Sequence, residues 1–201
     1  MPALPAIAHP AEALVLAKVA PTVVERARNI KLMVFDVDGV LTDGRLWYSE
    51  HGEILKGFNA LDGHGLRLLR EGGIGVALFT GREGPIVARR AAELGIATVR
   101  QGVRDKSRAL TALAQEKGLD IAEMGFMGDD IIDLPALQRA GFAASVPNAP
   151  AYITQAVHWV ASVPGGSGAA RECCDLLLAS QGRLSAFFSA NSVLSASGAI
   201  Q

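Results

Sequence analysis

The sequence predicts an α/β fold in which a parallel sheet is flanked by helices. Three observations carry that expectation. Short apolar runs recur along the 201-residue chain, each ending in a turn signal, as buried strands do. Stretches of helical apolar spacing separate these runs, and such alternation builds βαβ units. Polar and acidic residues collect where the runs end, at Asp36, Thr80 and Asp129. Open α/β sheets place their ligands at the carboxyl ends of strands.

An amphipathic helix is expected over about 11–28, with Leu14, Leu16, Val19, Val23 and Val24 apolar. The first strand begins at Leu32. Residues 44–58 alternate around Glu50-His51-Gly52-Glu53 and read as a β-hairpin. Asp62 opens a helix through Leu66, Leu69 and Arg70, stopped by Gly72-Gly73. A strand from Gly75 to Phe79, a helix of about 84–94, a short strand and a helix of about 105–117 follow. Next come a strand from Met124 to Met127, a helix of about 131–140 and a strand near 142–146. The glycine-rich run Pro164 to Gly168 precedes a helix over about 169–179. Residues 1–29 are expected to form a helical extension, 30–184 the main domain with its hairpin at about 44–58, and 185–201 a disordered tail.

The chain is 50% hydrophobic with a net charge of −1. That supplies one core and lacks the basic excess of a nucleic-acid partner. No apolar stretch is long enough to span a bilayer, and no secretory signal is expected at the N-terminus. A cytoplasmic protein without membrane contact is therefore expected. Cys173 and Cys174 are adjacent, a poor disulfide framework, and read as small apolar helix residues in a reducing compartment. His9, His51, His64 and His158 show no metal-ligand spacing.

The chemistry begins at Val34-Phe35-Asp36-Val37-Asp38-Gly39, where a buried strand ends in two carboxylates. Two acids there are costly unless a cation neutralises them; a divalent metal bound through oxygen is the simplest cation. Taken alone, Asp-x-Asp-Gly is as readily a polar turn. Complementary groups after later strands decide the matter: Thr80-Gly81-Arg82, then Lys106, then Gly128-Asp129-Asp130 with Asp133. If Asp105 caps the helix that follows, Lys106, Leu110 and Leu113 share its inward face. A cation at that helix end opposes the macrodipole and needs an anion beside it.

In this order the residues resemble the four motifs of the haloacid dehalogenase superfamily of phosphatases: Asp36-x-Asp38, Thr80, Lys106 and Gly128-Asp129-Asp130-x-x-Asp133. The resemblance implies that superfamily's Rossmann-like fold and its reaction. Asp36 would be the nucleophile, forming an aspartyl-phosphate. Asp38 would protonate the leaving oxygen and then activate water. Thr80 would hydrogen-bond the phosphoryl group and Lys106 would neutralise it. Mg²⁺ would be held by Asp36, Asp129 and the backbone carbonyl of Asp38, with Asp130 and Asp133 orienting Lys106 and the metal shell. About 44 residues separate Asp36 from Thr80 and about 26 separate Thr80 from Lys106, too few for a cap domain. Since phosphoryl transfer benefits from excluding water, a second subunit is expected to cover the open site.

Within the superfamily, the hairpin, Lys56-Gly57-Phe58-Asn59-x-x-Asp62-Gly63 and Gly165-Gly166-Ser167-Gly168-Ala169-Ala170-Arg171-Glu172-x-Cys174-Asp175 are similar to the 3-deoxy-D-manno-octulosonate 8-phosphate phosphatases. Ser167 departs from that family, which often carries Arg there. The similarity spans about residues 30–184. It implies a small phosphorylated sugar acid as substrate, a step toward the lipopolysaccharide inner core, and a homotetramer with hairpin contacts and shared sites. Arg82, beside Gly81, is the best candidate for the substrate carboxylate; Lys56, Asn59 and Arg171 are weaker candidates, acting across an interface. Trp47 and Tyr48 read as packing between subunits. A phosphatase of a nine-carbon sugar acid 9-phosphate and a non-catalytic phosphosugar-binding protein remain alternatives, the second disfavoured by an intact Asp36 and Asp38.

Overall fold

The computed structural model describes residues 9–188. Its centre is a six-stranded parallel sheet in the order β5-β4-β1-β6-β7-β8. The strands are β1 (Leu32–Asp36), β4 (Gly75–Phe79), β5 (Thr98–Arg100), β6 (Met124–Met127), β7 (Phe142–Ser145) and β8 (Trp159–Val160). The two remaining strands, β2 (Trp47–Ser49) and β3 (Gly52–Leu55), pair antiparallel as a separate hairpin. Strand β1 lies between β4 and β6, with Leu32 level with Gly75 on one side and Met124 on the other. The chain fills one side of β1 and then the other, so the crevice of this open sheet falls at the end of β1.

Every residue of β1 is buried, as expected for a strand covered on both faces. Alternate residues serve different layers. Met33 and Phe35 face one cluster, and Leu32 and Val34 face the other. The first layer holds α2 (Pro21–Arg28), α3 (Ala60–Glu71), α4 (Pro85–Glu93) and α8 (Ala169–Ser180); the second holds α5 (Lys106–Lys117), α6 (Leu134–Arg139) and α7 (Ala151–Thr154). Phe35, Phe79 and Phe126 are fully buried, each contributing about 1.5–3 kcal/mol of transfer free energy.

The expected single N-terminal helix is two helices, α1 (Pro10–Leu16) and α2. Pro21 opens the second, and Ala20 before it is extended, at φ −61° and ψ 140°. Proline clashes with a helical preceding residue and lacks the N–H that would continue α1. The expected opening of α3 by Asp62 also gives way. Asn59 caps that helix, accepting a hydrogen bond from the Leu61 N–H at 2.8 Å, as short Asx side chains do. Asp62 lies inside the first turn, buried, where it accepts the N–H groups of Gly168 at 3.2 Å and Arg171 at 2.8 Å. It thus ties α3 to the start of α8.

The expected helix at 131–140 is shorter, because Asp133 occupies the N-cap of α6 and Pro135 fits its first turn. The first residues of the tail expected to be disordered over 185–201 are ordered. Leu184–Phe188 forms a 3₁₀ turn in which the Ser185 N–H donates to buried Glu12 at 2.8 Å and Phe188 stacks on His9 at 5.4 Å; residues 189–201 lie outside the described residues. No described helix is long and apolar enough to cross a membrane.

Candidate active site

Strand β1 carries Asp36 to the carboxyl edge of the sheet, where its carboxylate is nearly buried. The chain then turns at Gly39, at φ +94°, a region glycine enters freely. A Cβ at Gly39 would lie 2.0 Å from Asp129 Oδ2. The acidic runs at Asp36 and Asp129 therefore meet only because residue 39 has no side chain. Gly165 performs the same service from the C-terminal side, since its Cβ would lie 1.7 Å from the Gly39 carbonyl oxygen.

Helix α5 delivers the cation. Asp105 caps it, accepting the Arg108 N–H at 2.9 Å, and Leu110 and Leu113 pack inward against the sheet. Lys106, on the same side, is 1% exposed. Its Nζ lies 2.7 Å from Asp36 Oδ1 and is also hydrogen-bonded to Asp133. Burial pulls the Lys106 ammonium down, but the Asp36 and Asp133 charges more than offset it, and the group stays above its ordinary range. Asp133 in turn accepts the N–H groups of Asp129 at 3.0 Å and Asp130 at 3.2 Å, so it fixes the loop as well as the lysine.

The orienting role expected of Asp130 differs from its position. Asp130 is exposed and accepts only the local Ile131 N–H, at 2.7 Å; the contact to Lys106 is made by Asp133 alone among the two. Asp130 faces solvent, unlike Asp129 before it, whereas Asp133, at the start of α6, is buried and reaches Lys106.

Oxygen atoms of Asp36, Asp129 and Asp133 lie within 4.8 Å of one another. Asp129 Oδ1 is buried with no hydrogen-bond partner, which is costly unless something cationic faces it. Desolvation, then the Asp133 charge, pushes Asp36 up to about 8 despite Lys106. Desolvation, then Asp133 and Asp130, pushes Asp129 up to about 7. Hard oxygen donors, one of them orphaned, fit a divalent cation of the Mg²⁺ type. Asp133 is engaged at both oxygens, Oδ1 by Lys106 and Oδ2 by the Asp129 and Asp130 N–H groups, which leaves Asp36 and Asp129 as the side chains to hold it.

Asp38 stands at the mouth, partly exposed. Buried Thr80, just past β4, donates from Oγ1 to Asp38 Oδ2 at 3.4 Å and accepts the Arg82 N–H at 3.1 Å. Asp38 Oδ1 pairs with Lys56 Nζ, whose side chain is only 2% exposed and which also reaches Glu53 Oε1 at 2.8 Å. Arg82 lies over the Tyr48 ring at 5.5 Å, donates to the Tyr48 hydroxyl and sits 3.8 Å from Glu53 Oε2. The Tyr48 hydrogen bond chiefly, with the Glu53 charge, raises Arg82 above its ordinary range. A cavity of about 300 Å³ opens beside these groups, lined by Glu53, Lys56, Arg82, Gly84 and Gln101.

Asp36, Asp38, Thr80, Lys106, Asp129 and Asp133 thus converge, with Lys56, Gly81 and Arg82 at the rim. Two residues named with them are engaged by other groups within the chain. Asn59 is spent on capping α3 and on the Gly166 carbonyl, 3.3 Å from its Nδ2. Arg171 holds Asp175 through Nε at 2.9 Å. Glu53 and the Tyr48 hydroxyl were not singled out for the site by sequence reasoning. The Glu53-x-x-Lys56 spacing was a usable signal, since a buried lysine on a hairpin needs an anion nearby.

A model of haloacid dehalogenase-like hydrolases matches residues 95–171. The 3-deoxy-D-manno-octulosonate 8-phosphate phosphatase of Haemophilus influenzae is 41% identical over 170 residues, covering 85% of this chain and 94% of the relative. Its counterpart from Escherichia coli K12 is 39% identical over 166 residues, covering 83% and 88%. The crystal structure of the Moraxella catarrhalis phosphatase of the same name, in complex with magnesium ion, phosphate ion and KDO, has a TM-score of 0.80 at 40% identity, covering 83% of this chain and 95% of that one. The cobalt-bound H. influenzae structure gives 0.80 at 41%, covering 84% and 99%.

Proposed function

Because the chain belongs to the 3-deoxy-D-manno-octulosonate 8-phosphate phosphatase family of the haloacid dehalogenase-like hydrolases, we propose a division of labour among its residues for that reaction. The enzyme is a phosphoric monoester hydrolase that uses Mg²⁺ and converts 3-deoxy-D-manno-octulosonate 8-phosphate to the free sugar acid and inorganic phosphate. The observation that carries the assignment of roles is the buried Asp36–Lys106–Asp133 arrangement at the end of β1.

Asp36 attacks phosphorus, and the bond from phosphorus to the sugar oxygen breaks. Asp38 donates a proton to that oxygen as the electron pair moves onto it. Water then attacks the phosphorus of the aspartyl-phosphate, Asp38 takes its proton, and the bond to Asp36 breaks to release phosphate. Lys106 offsets the negative charge of Asp36 and of the phosphoryl oxygens. It is held for this by Asp133, so little reorganisation accompanies the step. Thr80 supplies a hydroxyl at the same edge. Asp36 and Asp129, with the Asp38 carbonyl, would hold Mg²⁺, which supplies charge stabilisation to the phosphoryl oxygens. Arg82 and Gly81 are proposed at the carboxylate end of the substrate. Asn59 and Arg171 are retained only as contacts across an interface; Lys56, buried against Asp38 of its own chain, is not kept as such a contact.

A homotetramer with the hairpin at its interface is the proposed assembly. It is supported by the exposure of Trp47, Tyr48, Ile54 and Leu55, at 49%, 56%, 61% and 53%, an apolar patch of the kind that marks association. The enzyme is proposed to work in the cytoplasm, on the lipopolysaccharide core route. Residues 1–29 and 30–184 are proposed as extension and phosphatase domain.

The test is phosphate release from the eight-carbon and nine-carbon sugar acid phosphates and from hexose phosphates, with Mg²⁺ and with EDTA. Metal-dependent preference for the eight-carbon acid supports the reading. Metal-independent release, or preference for another substrate, rejects it.

A further inference from the structure

Glu53 on β3 touches two cations. Its Oε1 lies 2.8 Å from Lys56 Nζ, and its Oε2 lies 3.8 Å from Arg82 Nε. Lys56 continues to Asp38 Oδ1, and Arg82 to the Tyr48 hydroxyl on β2. A continuous line of charge therefore runs from the hairpin to Asp38. Lys56 and Glu53 are 2% and 14% exposed in their side chains, so their attraction is little screened by solvent. A lysine stem is flexible and its ammonium is a compact point charge. One carboxylate alone would leave it several orientations, whereas two carboxylates on one ammonium restrict it.

We propose that Lys56 and Glu53 are positioning residues for protonation of the leaving group: Lys56 fixes the Asp38 carboxylate, and Glu53 fixes Lys56. The inference rests on the phosphatase reading above and goes beyond it. Lys56 occupies Oδ1 of Asp38, and the only other contact of that carboxylate described is the long one from Thr80 Oγ1 to Oδ2. Oδ2 is thus the oxygen turned toward the phosphoryl end of the site. In the first step the Oδ2–H bond breaks and the proton passes to the sugar oxygen as its bond to phosphorus breaks. Lys56 keeps its own protons throughout. The arrangement also makes hairpin placement a condition of catalysis, since Glu53 and Tyr48 both come from the hairpin.

The experiment compares wild type, Glu53→Gln and Lys56→Gln on two substrates at one Mg²⁺ concentration, reading the single-turnover rate at saturating substrate, which reports the first chemical step without substrate binding. 3-Deoxy-D-manno-octulosonate 8-phosphate leaves as an alkoxide and needs the proton; p-nitrophenyl phosphate leaves as a stable phenolate and does not. Each variant is expected to lose about tenfold or more on the sugar phosphate and less than about threefold on the nitrophenyl ester, because acid catalysis acts only where the leaving group needs it. Both variants replace a charge by an amide of similar size, and the nitrophenyl activity serves as the check on folding. Equal losses on both substrates, or no loss from Glu53→Gln, overturn the proposal. Wild-type protein inert toward both would instead remove the phosphatase reading, and this proposal with it.

Discussion

Lys106 Nζ lies 2.7 Å from Asp36 Oδ1 while Asp133 holds the same ammonium from the other side. One buried cation between two buried acids makes the site a single electrostatic unit, in which each member is costly without the others. Replacing Lys106 by Met is expected to lower stability by about 3 kcal/mol or more in the metal-free protein, because it strands both carboxylates. It should also lower kcat at least ~100-fold, as loss of a preorganised charge does. Urea unfolding and phosphate release check the two numbers.

The acids should tie stability to pH. Burial and Asp133 push Asp36 up to about 8, and burial with Asp133 and Asp130 pushes Asp129 up to about 7, from 3.8. Between those limits the folded, metal-free protein binds more protons than the unfolded chain, so stability falls as pH rises. The contribution is complete below about pH 4 and is lost as pH passes through about 7 to 8. In EDTA, Tm should therefore decline between about pH 5 and pH 8.5; Mg²⁺, which binds the deprotonated oxygens, should flatten the decline. Scanning calorimetry across pH with and without Mg²⁺ measures it, and a Tm that rises with pH in EDTA contradicts it.

At Gly39 a methyl group would meet Asp129 Oδ2 at 2.0 Å, on a backbone of φ +94°. Gly39→Ala is expected to cost about 1–3 kcal/mol through the strained backbone and to raise the Mg²⁺ concentration needed for half-maximal activity. Thermal melting and a Mg²⁺ titration of the purified variant read both effects.

Much of this was legible in the chain. The apolar runs announced the strands of the sheet, and the acids, hydroxyl and lysine at their ends announced the site. What escaped has physical causes. Asp62 was read as a local helix cap, but its partners are the backbone N–H groups of Gly168 and Arg171, over a hundred residues away, and local spacing carries no record of them. Glu53 reads as a turn residue in the sequence because, although Lys56 is three residues on, its second cation, Arg82, lies past β4. Asp130 and Asp133 look alike in sequence, and only the fold turns one inward. The break at Pro21 was different: the signal was present, and the apolar spacing of 11–28 masked it.

The hairpin patch should govern assembly. Ile54→Asp places a charge at a site 61% exposed in the single chain. It is expected to convert the proposed tetramer to smaller species and to reduce kcat, with the folded content by circular dichroism unchanged. Light scattering coupled to size exclusion decides the first point; an unaltered mass removes the hairpin from the interface.

Burial raises both Cys173 and Cys174, on the inner face of α8. A thiol held protonated is a poor nucleophile. Ellman's reagent at pH 8 should therefore leave both untouched in the native protein and label two in denaturant. Fast labelling of the native state would mean that α8 opens readily.

The central assignment is Asp36 as the atom that receives the phosphoryl group. Its most direct test is mass analysis of the enzyme quenched in acid during turnover of 3-deoxy-D-manno-octulosonate 8-phosphate with Mg²⁺, followed by peptide mapping. The expected result is one phosphoryl group on the peptide that contains Asp36, absent from Asp36→Asn, with turnover of that variant abolished. Full turnover by Asp36→Asn, or a phosphoryl group mapped to another residue, would contradict the account.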